Sequence, residues 1–78
     1  MNYVVIELQT NNGATSALVY SDPTWTWNQA CSVYFNKLSA AAISSVDVHS
    51  VTLLSEDGEK QMSMSFDHRP KGDGEDED

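Results

Sequence analysis

A single cysteine, Cys31, occurs in the 78 residues, so an intrachain disulfide is excluded. Nothing then ties the chain to an oxidising compartment, and a cytoplasmic location is expected. Basic residues are scarce too: four Lys and Arg stand against twelve Asp and Glu, a net charge of −8. Neutralising a phosphate backbone takes a basic face, which four cations do not build, so direct nucleic-acid binding is not expected. An anionic membrane surface repels the chain for the same reason. No apolar run approaches the ~20 residues that span a bilayer. No basic segment precedes an apolar stretch at the start, so no secretory signal is expected. Glycine-rich phosphate loops are missing as well. Of the four glycines, Gly13 and Gly58 follow apolar runs as turn residues, and Gly72 and Gly74 lie in an acidic tail.

What remains reads as one small domain with a tail. A chain of this length buries only about 60% of the surface its unfolded form exposes, so modest stability is expected. The charge divides evenly. Residues 1–66 hold six acids and two bases, and residues 67–78 hold another six and two, each half summing to −4. The tail, residues 69–78, is low-complexity and acidic and is expected to be disordered.

Residues 2–10 are rich in β-formers, with Val4, Ile6 and Leu8 on one face and Tyr3, Val5 and Glu7 on the other. Asn12-Gly13 is a strong hairpin signal, because both residues tolerate positive φ. Residues 14–20 return as a partner strand, poor in large apolar groups, as suits an edge. Pro23 marks a break. Two helix starts then compete: Asp22 capping with Pro23 at the first position, or Thr26 with Gln29 three residues on as a capping box. The second is preferred. The helix, about residues 27–43, presents Trp27, Ala30, Cys31, Tyr34, Leu38 and Ala41 as an apolar stripe. A third strand covers residues 48–54, the Glu56-Asp57-Gly58 turn follows, and residues 61–68 alternate as a fourth strand with Met62, Met64, Phe66 and His68 on one side.

Strands and helix match in length, since seven strand residues span ~23 Å and a helix of this size ~25 Å. The expected fold is α+β in two layers: β-β-α-β-β, a four-stranded antiparallel sheet in order 2-1-3-4 with one helix on one face. Leu8, Leu38, Leu53 and Phe66 are expected to share the interior. The uncovered face is expected to carry Tyr3, Val5 and Glu7 with the serines of the last strand, an interaction surface for a protein partner or for a second copy in a homodimer.

The candidate chemistry is thin. Asp47, His49 and Ser50 invite a triad reading, but adjacent strand residues point to opposite faces. Cys31, His49 and His68 match no zinc spacing, so no metal and no cofactor are expected. Cys31 lies on the helix stripe as a small core residue, with no neighbouring cation to activate it. Trp25 falls outside the stripe, either stapled against the helix or exposed as a partner anchor. Glu56, Asp57 and Glu59 cluster on a solvent turn. An enzymatic reading needs a pocket above ~300 Å³ with convergent polar groups.

One resemblance adds context. The run AAAISSVDVHSVTLLSEDG at residues 40–58, with the N-terminal hairpin, resembles short proteins of no assigned activity carried by phages and mobile elements of Gram-positive gut bacteria. The likeness covers about residues 3–68; residues 21–27 are less typical and the tail lies outside it. It implies an accessory gene product that binds a host protein, such as an inhibitor of a host defence or nucleic-acid-handling protein. The expected function is stoichiometric, non-enzymatic protein binding through Tyr3, Val5, Trp25, Glu56, Asp57 and Glu59; the alternative is a self-associating structural domain.

Overall fold

The computed structural model describes residues 2–70. The element order is β1 (Tyr3–Asn11), β2 (Ala14–Ser21), α1 (Trp27–Ala42), β3 (Val48–Ser55) and β4 (Lys60–Asp67). The strands form one antiparallel sheet in order β2-β1-β3-β4. The expected fold is therefore the observed one. The tail expected from Arg69 lies, from residue 71 on, outside the described residues.

Local chemistry accounts for the joints. Asn12 and Gly13 have φ of 55° and 82°, so both central turn residues are left-handed, as a two-residue hairpin of matching twist requires. The Thr26 side chain accepts from the Gln29 N–H and the Gln29 side chain accepts from the Thr26 N–H, which settles the helix start in favour of the capping box. Thr26→Ala is expected to cost about 1 kcal/mol by urea denaturation. A loss below about 0.3 kcal/mol would show that tertiary packing alone holds the helix start. At the other end His68 donates from Nε2 to the Ala41 carbonyl at 2.9 Å, tying the end of β4 to the last turn of α1.

The helix lies over β1, β3 and β4 and does not reach across β2. Beneath it the core is Val5, Val51 and Leu53 from the sheet with Ala30, Tyr34 and Ala41 from the helix. Small Ala30 and Ala41 let the helix sit close. Trp27, expected in the stripe, is 43% exposed and meets Tyr3 edge-to-face at 5.4 Å. Val33, off the stripe by spacing, packs partly buried against the core instead.

One expectation is reversed. The helix covers the Val5 and Glu7 side of β1, not the Val4, Ile6 and Leu8 side. Val5 is fully buried, whereas Leu8 is 40% exposed and does not join Leu53 in the interior. Tyr3 is half-buried on the covered side. The serines of β4 do face outward, since Ser63 and Ser65 pair with Thr52 and Ser50. The physical reason for the reversal is that Glu7 is not a solvent residue, because it has a buried partner.

Candidate functional site

That partner is His49. Strand parity puts His49, Val51, Leu53 and Ser55 under the helix. Gln9 stands opposite His49 and Val51 opposite Glu7, so Glu7 and His49 meet on the diagonal. His49 Nε2 lies 2.5 Å from Glu7 Oε2. An ionised carboxylate only accepts, so His49 donates from Nε2. Tyr20 donates its hydroxyl to Glu7 Oε1 at 2.9 Å, and Gln9 donates from its amide to Oε2 at 3.3 Å. Burial pushes the Glu7 carboxyl up, but the bonds from His49 and Tyr20, the charge of His49 and the Gln9 bond together hold it below the usual value. The same bond to Glu7, with burial and the Glu7 charge, raises the Tyr20 hydroxyl. His49 Nδ1 is buried with no partner among the described residues. Sequence reasoning missed this cluster by placing Glu7 in solvent.

The triad reading fails on geometry. Asp47 accepts the Asn12 N–H at 3.0 Å, and His49 is bonded to Glu7 instead. Cys31 is half-buried on the helix, and His68 is committed to Ala41, so Cys31, His49 and His68 are not brought together. Among the described residues no three His, Cys, Asp or Glu side chains gather as a metal site. No helix of the described residues is long and apolar enough to cross a membrane.

Because α1 stops short of β2, a groove of about 330 Å³ opens between them, lined by Tyr20, Trp25, Ser32, Val33, Asn36 and Lys37. Its volume passes the enzymatic threshold, but its polar groups do not converge. The Tyr20 hydroxyl is turned to Glu7, Lys37 Nζ rests 4.4 Å above the Tyr20 ring, and among the described residues no acid, thiol or imidazole lines the groove. Trp25 is half-buried here against the core, with its N–H on the Asp22 carbonyl.

The acidic turn is ordered by its own acids. Asp57 accepts from the Ser55 hydroxyl and from the Glu59 N–H, and those bonds hold its carboxyl below the usual range. Glu56 Oε1 accepts the Asn2 N–H at 2.6 Å, and the Glu59 carbonyl accepts from Ser55. Glu56, Asp57 and Glu59 are all exposed. Two of these acids therefore have a structural task.

The helix-free face of the sheet is the third surface. Pairing places Val4 beside Leu54, Ile6 beside Val19, and Leu8 beside Ala17. Hydroxyl residues surround them: Thr10 bonds Thr15 at 2.7 Å, and Thr52 bonds Ser63 at 3.1 Å. None of the residues that β1, β2 and β3 present here is charged, and Lys60 and Asp67 stand only at the two ends of β4. Val19 is 63% exposed.

No family model matches the chain, and no curated protein and no solved structure matches it.

Proposed function

We propose that this chain is a small, acidic, non-enzymatic protein-binding module of a phage or mobile element, acting by stoichiometric binding to one host protein through the helix-free face of its sheet. The observation that carries this reading is the uncharged, apolar-centred, hydroxyl-rimmed face on a chain of net charge −8. An apolar centre with a polar border is the anatomy of a protein interface. The absence of convergent catalytic groups in the groove favours binding over turnover. The resemblance supplies the phage context. The charge favours a basic, nucleic-acid-handling partner, which it would steer on approach and whose phosphate ligands it would displace.

Affinity capture from the native host tests the reading. The wild type is expected to retain one protein at 1:1, less of it at 0.5 M salt than at 0.05 M, and Leu8→Lys with Thr52→Lys is expected to lose it. Retention indifferent to salt would remove the steering argument. Equal retention by the double variant would remove the face.

A further inference from the structure

The two edges of the sheet are guarded differently. β4 carries Lys60 and Asp67 at its ends and a register shift opposite Leu53 and Leu54, and Asp67 is held by Arg69 at 2.6 Å. Charges and irregular pairing of this kind keep an edge from recruiting another strand. β2 has none of them. Its sequence, ATSALVYS, has no charge, proline or glycine, and its register with β1 runs unbroken from Ala14 to Ser21. Every residue of β2 except Tyr20 is exposed, and Leu18, on the helix side that α1 leaves open, is 46% exposed.

The hairpin fixes which amides are free. A two-residue turn closes on a hydrogen-bonded pair, here Asn11 with Ala14. Bonding alternates from there, so Ala14, Ser16, Leu18 and Tyr20 are spent on β1, while Thr15, Ala17, Val19 and Ser21 direct N–H and C=O outward.

We propose that two copies of this chain pair antiparallel through β2 about Leu18, joining their sheets into one of eight strands. This deepens the self-association alternative and does not rest on the partner-binding reading. The choice of a second copy follows from self-complementarity. With Leu18 opposite Leu18, Thr15 of each copy meets Ser21 of the other and Ala17 meets Val19, so the four outward residues exchange about eight N–H···O=C bonds, the most that any register allows. On the helix side the two Leu18 side chains stand directly opposite as a close, non-hydrogen-bonded pair. The acids lie on other elements, so the paired strands bring no like charges together. The net −8 on each copy still repels at long range, so salt strengthens the dimer by screening. That sign is opposite to the one expected for the basic host partner.

Sedimentation equilibrium of the full chain from ~1 µM to ~1 mM, at low and high salt, tests this. The 8.6 kDa species is expected to double in mass with concentration, more readily at 0.5 M salt. Ala17→Pro removes only an outward N–H, and Leu18→Lys sets two cations directly opposite each other; both are expected to remain monomeric with unchanged far-UV circular dichroism. Ser65→Lys on β4 is expected to dimerise like the wild type. Should Ala17→Pro not fold, Leu18→Lys carries the test, and amide exchange of Thr15, Ala17 and Val19, slowed on dimerisation, gives a second readout. A wild type monomeric at ~1 mM, or β2 variants that still dimerise, or loss of the dimer in Ser65→Lys, would overturn the proposal. Neither Leu18 nor the Ala17 N–H lies on the helix-free face, so failure here leaves host capture by that face standing, and the converse.

Discussion

Leu53→Ala is expected to destabilise the domain by about 3 kcal/mol. Leu53 is fully buried at the middle of the sheet, with Val5 beside it on β1 and Met62 on β4, and α1 above. Truncation removes its transfer free energy and leaves a cavity that three strands and a helix fill only in part. A domain of this size has about 4–12 kcal/mol in total, so the loss is a large fraction, seen as a drop of roughly 15 °C in melting temperature. Leu8→Ala is the control. Leu8 is already 40% exposed on the other face, and a loss of at most about 1 kcal/mol is expected there. Urea denaturation of the two variants decides which face the helix covers. A larger loss for Leu8→Ala than for Leu53→Ala would turn the sheet over.

His49→Ala is expected to cost about 3 kcal/mol at pH 7, because it leaves the Glu7 carboxylate buried with only Tyr20 and Gln9 as donors. The pH dependence separates this from a plain cavity. In the wild type the Glu7 carboxyl is lowered from its ordinary 4.5, so its stabilisation is complete above that value and is lost as pH falls through the lowered folded value. Without His49 two of the causes that lower the Glu7 carboxyl are gone while burial still pushes it up, so it rises relative to the wild type. Protonation then relieves the variant as pH falls, and the gap to wild type shrinks between pH 7 and pH 4. Glu7→Met with His49→Leu, an apolar pair of similar volume, is expected to recover most of the loss. Denaturation midpoints at pH 4, 5.5 and 7 measure all three. A gap that stays constant with pH would mean that the charge on Glu7 plays no part.

These two residues also mark where the sequence could and could not be read. The joints were legible because each is local: Asn12-Gly13 specifies its own turn, and Thr26 with Gln29 specifies its own cap. Strand order followed from two apolar strands seeking the centre. Read alone, β1 points the wrong side of the sheet at the helix, since Val4, Ile6 and Leu8 are more apolar than Tyr3, Val5 and Glu7. A signal did exist. Met62, Met64 and Phe66 share one face, their β3 partners are Leu53, Val51 and His49, and a buried His49 needs a polar partner, which the Glu7 and Gln9 side of β1 supplies and the Val4, Ile6 and Leu8 side does not. That chain of pairings crosses three strands, so a strand-by-strand reading does not find it. The groove beside Trp25 had no sequence signal, because it comes from where the helix stops relative to β2. Of the residues expected to bind a partner, Val5 is in the core and Tyr3 is packed under the helix, while Trp25, Glu56, Asp57 and Glu59 keep surface.

Three surfaces therefore stand against one another, and calorimetric titration of the captured host protein ranks them. Leu8→Lys with Thr52→Lys is expected to weaken binding about 100-fold or more, Trp25→Ala to change it less than about tenfold, and replacement of Glu56 and Glu59 by Gln to slow association with little change in dissociation. Undiminished affinity in the Leu8 and Thr52 variant, with the loss concentrated at Trp25, would contradict this ranking and move the interface to the groove.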